Sequence, residues 1–345
     1  MKKLTKHKKK IAMIIAIAAF VLIFENLLLA IRYNRINKYT PETIGVSFSQ
    51  KQAERFDSDW KKNYLGLLDD LNFKNIRIPA YWDRIEPQKG QYDFSETDWM
   101  IEEAAKRNAK ITLIIGQKNI RYPECYYPNW VDKNNIAQTS DQATEMVKAV
   151  AEHYKNSPTI KEWQLENEFL LTSFGECPND LLTNKQLGKE LAALKSVDTS
   201  KPVVFTQSDQ FGFPAKGPFG NTFGFSMYRW SWSKSKDYWR YPQDGNYFWL
   251  KAGLINALFN QNIKIHELQA EAWGPIGNEY LSFEETYKTM NPKQFADNIR
   301  YVRETKVKNY DLWGAEWWWS LKQKGHPEMW DAVKIFMITG KLENN

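Results

Sequence analysis

Two short runs hold the residues best suited to chemistry. Trp163-Gln164-Leu165-Glu166-Asn167-Glu168-Phe169 reads as a buried strand that stops at an Asn-Glu pair. A later run, Ile265-His266-Glu267-Leu268-Gln269-Ala270-Glu271-Ala272-Trp273-Gly274, delivers another carboxylate at its end. One glutamate acting as an acid and another as a base or nucleophile is what cleavage of a sugar linkage requires. Glu168 and Glu271 lie nearest the strand ends and are read as that pair. Glu166 and Glu267 compete with them, because strand parity puts each on the same face as its neighbour. Glu316, among later aromatics, is a further candidate nucleophile.

The elements that must position these residues show up as alternation. Strand-like runs fall at 44–48, 75–79, 110–116, 160–168, 202–206, 222–228, 264–271 and 310–318. Helical spacing lies between them, as at 59–71, where Trp60, Tyr64, Leu67, Leu68 and Leu71 share one side. Ser95-Glu96-Thr97-Asp98 reads as a capping box opening a helix through Lys106. Further helices are expected at 142–154, 184–195, 248–260, 292–304 and 328–337. Eight short apolar strands alternating with helices predict a closed (β/α)8 TIM barrel over residues 43–340. No glycine-rich phosphate loop follows the first strand, which argues against an open dinucleotide-binding sheet. In a barrel the active site sits at the C-terminal ends of the strands. Arg77, Asn167, Glu168, Tyr228, Glu271 and the pair Trp317-Trp318 all fall at or near such ends.

Around these ends the chain resembles the clan A glycoside hydrolases, retaining enzymes built on a TIM barrel. Trp82-Asp83-Arg84-Ile85-Glu86-Pro87-Gln88-Lys89-Gly90-Gln91-Tyr92-Asp93-Phe94 is similar to the loop after strand two in families 1, 35 and 42. Gln164-Leu165-Glu166-Asn167-Glu168-Phe169 is similar to the strand-four motif of the family 35 and 42 β-galactosidases, and the whole pattern also resembles family 5-like glycanases. The resemblance implies Glu168 as acid/base and Glu271 as nucleophile, acting on β-linked oligo- or polysaccharide. It implies that Asn167 donates to the sugar 2-hydroxyl, that Arg77 and Tyr228 hold the nucleophile, and that Trp317 or Trp318 floors the cleaved subsite. Trp273, among the loop aromatics, joins the substrate-binding set. Two positions depart from the clan pattern: Gln117 and Ser226 stand where histidines are common. A carbohydrate-binding barrel without catalysis, or an envelope transglycosylase using the same residues, remain the alternatives.

The net charge of +6 is concentrated at the N-terminus. Six lysines lie in the first ten residues, and Arg32, Arg35 and Lys38 follow an apolar run. With those nine cations and Glu25 set aside, residues 39–345 carry −2, so no basic face suits nucleic acid. Residues 1–10 read as a basic cytoplasmic tail, 11–31 as a transmembrane signal-anchor and 32–42 as a polar linker. The catalytic domain would then lie outside the cytoplasm. A cleaved signal peptide, giving a secreted protein, is the competing reading. Cys125 and Cys177 fall in loops after the third and fourth strands, where a disulfide is expected. No His/Cys cluster has metal-ligand spacing, and the proposed chemistry requires no cofactor.

Overall fold

The computed structural model describes residues 2–208, 211 and 220–342, with side chains from residue 8 onward. Its ten strands are β1 (Thr43–Ser47), β2 (Asn75–Pro79), β3 (Lys110–Ile115), β4 (Ile160–Leu165), β5 (Val203–Gln207), β6 (Thr222–Met227), β7 (Trp230–Ser233), β8 (Asp237–Arg240), β9 (Asn262–Gln269) and β10 (Asn309–Trp313). Eight of them close a parallel barrel in the order β1-β10-β9-β6-β5-β4-β3-β2, while β7 and β8 form a separate antiparallel hairpin. The fold is a TIM barrel preceded by a long apolar helix.

Period-two alternation explains how each strand serves two layers. In β3, Ile111, Leu113 and Ile115 join the main apolar core. Thr112, between them, points into the barrel and donates to Glu162 of β4 at 2.6 Å. The barrel floor is a buried ion cluster: Lys264 Nζ lies 3.0 Å from Glu162 and 2.9 Å from Asp311. Each charge there has an opposite partner, the condition for burying it.

Helices at Ser95–Lys106 and Pro292–Glu304 have the bounds the sequence pattern predicts. The expected capping box at Ser95 does not form. Phe94 occupies the N-cap, Asp93 accepts from the Ser95 amide at 2.9 Å, and Asp98 instead accepts from the Tyr154 hydroxyl at 2.7 Å. The last barrel strand ends at Trp313, not Trp318. Gly314, at φ 152°, turns the chain into a helix over Ala315–Gln323, so Trp317 and Trp318 are helical. Only glycine fits that turn, because a Cβ would sit 2.8 Å from both Ala270 O and Trp318 Nε1.

The N-terminal helix runs from Lys2 to Asn37, so most of the expected linker is helical. Its part from Lys8 to Asn37 is long and apolar enough to cross a membrane. The last three turns are docked on the barrel. Asn26, Leu29, Ala30, Tyr33, Asn34 and Asn37 are covered while most of their neighbours are exposed, the stripe of one packed helix face. That stripe meets the helix Gly245–Phe259, where Trp249 donates to Ala30 O at 3.1 Å.

Candidate active site

The site begins with two irregularities in the barrel. At the end of β4, Glu166 and Glu168 adopt left-handed backbones, with φ of 62° and 45°. Such strain in non-glycine residues persists only where the surroundings enforce it, and it clusters at functional sites. Here it separates two carboxylates that strand parity would put on one face. Glu166 accepts from the amides of Gln117 at 2.9 Å and Lys118 at 2.6 Å, and braces the loop after β3. Glu168 enters the barrel mouth.

The second irregularity is a bulge in β9. Phe225 of β6 pairs with Ile265, but the next residue, Ser226, pairs with Glu267. His266 is the extra residue, and the bulge breaks the parity count. Both His266 and Glu267 therefore reach the site. Acceptor atoms of Glu168, His266 and Glu267 all lie within 4.8 Å of one another.

Arg77 organises this centre from β2. It donates to Gln164 at 2.6 Å, Ser47 at 2.9 Å and Asn167 Oδ1 at 2.5 Å, and its Nη1 stands 3.7 Å from Glu267. The Tyr228 hydroxyl donates to Glu267 Oε2 at 2.8 Å. Glu168 accepts from the Ser226 hydroxyl and lies 3.3 Å from His266 Nε2. Burial pushes the Glu168 carboxyl above its usual range, against the Ser226 hydrogen bond. Burial and the neighbouring Glu168 carboxyl, which competes with it for one charge, raise Glu267, while Arg77 and Tyr228 favour its ionised form. His266, stripped of water by burial, is pushed down to about 3 and is neutral.

The sequence reading put Arg77 and Tyr228 on Glu271. The structure puts both on Glu267. Glu271 is paired instead with Arg121 at 2.6 Å, whose other side meets Glu316 and whose guanidinium lies 4.0 Å from the Trp313 ring centre. Trp317 and Trp318 also depart from their expected role. Both are buried beside the barrel wall, with Trp318 donating to Ala270 O at 2.7 Å, and neither lines the cleft. Trp313, at the end of β10, lines it in their place.

These residues open into a cleft of about 620 Å³ that includes Asn167, Glu168, Tyr228, Glu267, Glu271 and Trp273. Among the aromatics of the rim loops, Tyr122, Trp230, Tyr241 and Trp273 line the cleft. Tyr127 and Trp130, in the loop after β3, pack edge-on against Trp82. Cys125 and Cys177 form a disulfide that ties the loops after β3 and β4. Sequence reasoning missed Arg121, Ser226, His266 and Trp313 as site residues. Two of them carried a signal: Trp313 as a tryptophan inside a predicted last strand, and Ser226 as the residue standing where the clan commonly has a histidine.

The barrel agrees with what this chain is similar to. The family model for cellulase of glycosyl hydrolase family 5 matches residues 40–240. Over 165 residues the chain is 26% identical to β-galactosidase BgaA of Clostridium cellulovorans, covering 42% of this chain and 24% of that protein. Over 143 residues it is 25% identical to a β-1,4-xylanase of Dictyoglomus thermophilum, covering 41% and 35%. The chain thus aligns with about a quarter to a third of the length of these relatives. Among solved structures, a GH5_18 protein of Bifidobacterium longum in complex with Manβ1-4GlcNAc superposes with a TM-score of 0.55 at 15% identity, over 79% of this chain and 68% of the other. Xylanase 10B of Thermotoga petrophila in complex with xylobiose gives 0.52 at 17% identity, over 79% and 82%. At such identities these two show the barrel fold.

Proposed function

Because this chain belongs to glycosyl hydrolase family 5, we propose that it hydrolyses β-glycosidic bonds with retention of configuration, using Glu168 as acid/base and Glu267 as nucleophile. One observation carries the assignment. The carboxylate that approaches Glu168 within 4.8 Å is that of Glu267, and the same group receives Tyr228 and faces Arg77. Retaining glycosidases hold their two carboxyls about 5 Å apart, and inverting ones about 6.5–9.5 Å.

Electrostatics divides the roles. Two buried carboxyls this close do not both ionise, so they share one proton. Glu267 has a buried guanidinium and a phenol beside it, and takes the charge. Glu168 has a neutral hydroxyl and a neutral imidazole beside it, and keeps the proton. Glu168 delivers that proton to the leaving oxygen as Glu267 bonds to the anomeric carbon. The ester that forms carries no charge, so the Glu168 carboxyl becomes more acidic. It then takes a proton from the water that cleaves the ester. Arg77 and Gln164 both donate to Asn167 Oδ1, which leaves the Asn167 NH2 free to donate to a sugar 2-hydroxyl.

The substrate class is a β-linked saccharide, the type of ligand named for the xylobiose and Manβ1-4GlcNAc complexes. The N-terminal helix would hold the enzyme at a membrane, with its lysine-rich end in the cytoplasm and the barrel outside. The test uses the full chain in detergent with a panel of aryl β-glycosides and β-linked polysaccharides. Hydrolysis with a β-configured first product is expected. Glu267→Ala with added azide should yield an α-glycosyl azide, and Glu168→Ala with azide a β-glycosyl azide. An α-configured first product from the unmodified chain would overturn the retaining reading.

A further inference from the structure

The line from Glu168, just past β4, to Glu267 of β9 divides the barrel mouth. One half lies over β10, β1, β2 and β3, the other over β5 and β6. Asn167 turns towards the first half, where Arg77 of β2 donates to its Oδ1. A sugar whose 2-hydroxyl meets Asn167 therefore sits in the first half, and its leaving group points over β5 and β6.

The first half is walled. β10 ends at Trp313 and Gly314 turns straight into the next helix, so no loop of its own stands above that strand. Neighbouring loops close the gap. Arg55 ends the helix Gln50–Arg55 that follows β1. Its Nε lies 3.3 Å from Glu279, in the loop after β9, and its Nη1 donates to Tyr122 O, in the loop after β3, at 2.8 Å. Both partner loops are anchored. Asn278 donates to Ala272 O at 2.7 Å, and the Tyr126 hydroxyl donates to Tyr122 O at 2.9 Å. Arg121, one residue before Tyr122, stacks on Trp313 and pairs with Glu271 and Glu316, so one face of that ring is already covered. Gln52, Arg55, Tyr122 and Glu279 all line the cleft, which makes this three-loop strap its end wall.

We propose that the Arg55–Glu279 strap leaves room for a single sugar on the glycone side, so that the enzyme is exo-acting and removes one sugar at a time from the non-reducing end of a β-linked saccharide. This rests on reading the cleft as a glycoside site. The barrier is steric. A glycan continuing past the cleaved sugar would have to part Arg55 from both Glu279 and Tyr122, and a clash built into a site is a route to specificity.

The test digests β-1,4-linked tetrasaccharides of gluco, galacto, manno and xylo configuration, labelled at the reducing end, with the full chain in detergent. Each is offered with its terminal 4-hydroxyl free or blocked by a benzyl ether. The first products should be a monosaccharide and a labelled trisaccharide, and the blocked form should be cut about 100-fold more slowly. Arg55→Ala and Glu279→Ala should each narrow that ratio about tenfold by admitting the blocked form. Trp230→Ala, on the far half of the cleft, should weaken substrate binding and keep the ratio. Thermal melts check that the variants fold. Internal cutting by the unmodified chain overturns the inference while leaving it a hydrolase. Equal cutting of free and blocked forms, a ratio unmoved in both strap variants, or one moved as far by Trp230→Ala also overturns it. If no substrate is cut, the hydrolase reading falls, and titration calorimetry with the same saccharides decides. Binding of free ends with refusal of blocked ones then sustains the one-sugar wall, and equal or absent binding removes it.

Discussion

Tyr228 donates its phenolic hydrogen to Glu267 Oε2 at 2.8 Å, reaching from just beyond β6 to the carboxylate on the neighbouring β9. The bond holds one lone pair of the proposed nucleophile away from Glu168 and favours its ionised form. Tyr228→Phe should lower kcat about 10- to 100-fold with little change in KM, since the bond acts on the nucleophile. Glu267→Gln should lose on the order of 10^4-fold or more in turnover. Steady-state kinetics on an aryl β-glycoside checks both, and a Glu267→Gln enzyme with full turnover would remove it from the mechanism.

The pH profile should be bell-shaped, with an acid limb from ionisation of Glu267 and an alkaline limb from loss of the Glu168 proton. Burial raises both groups, so each limb lies above the usual carboxylate range. The Ser226 hydroxyl opposes the rise at Glu168. Ser226→Ala should therefore move the alkaline limb of kcat/KM upward. His266 is neutral across this window and should contribute no limb. A downward shift in Ser226→Ala would contradict the assignment of Glu168 as the acid.

Behind β4, the carboxyls of Glu166 and Glu190 are both fully buried and interact with one another. Burial pushes Glu190 up to about 7 and holds Glu166 well above its usual range, so the pair keeps protons that the unfolded chain releases near 4.5. Below 4.5 this contribution to stability is complete, because folded and unfolded chains are both protonated. As pH rises towards 7 and beyond, it is lost at about 1.4 kcal/mol per pH unit per group. Melting temperatures should fall over that window, and Glu190→Gln should flatten the slope. An unchanged slope in Glu190→Gln would show that the pair does not titrate this way.

The disulfide Cys125–Cys177 closes a loop with a sequence separation of 52 residues. Replacing both cysteines by serine should cost about 2–4 kcal/mol, mostly by freeing the unfolded chain. Activity should fall as well, because the tied loop carries Arg121 and Tyr122 into the cleft. Chemical denaturation gives the first quantity and kcat/KM the second. Equal stability with and without the bond would mean that the loops hold themselves.

Gly253 lets the N-terminal helix approach the Gly245–Phe259 helix. A Cβ there would sit 2.5 Å from the Ala30 Cα. Gly253→Val should destabilise the full chain by about 1–3 kcal/mol through overpacking. Thermal melts in detergent measure this, and an unaltered melt would show that the two helices part easily.

The barrel, its strand ends and the acidic character of its mouth were legible in the chain itself. Short apolar runs alternating with helical spacing define the layers, and both signals are local. The position of Glu168 followed from the same locality, since it lies just past a buried strand. The identity of its partner did not. Parity counting along Lys264–Glu271 assumes an unbroken pleat, and a bulge at His266 lies in the pairing with β6 and β10, which no single strand encodes. The eighth strand looked longer than it is, because Trp317 and Trp318 suit a strand as well as the buried face of a helix. Arg121 carried no signal, for its partners Glu271 and Glu316 are 150 and 195 residues away. Periodicity reports which face of an element is buried. Which charge meets which across the barrel is decided only when the sheet closes.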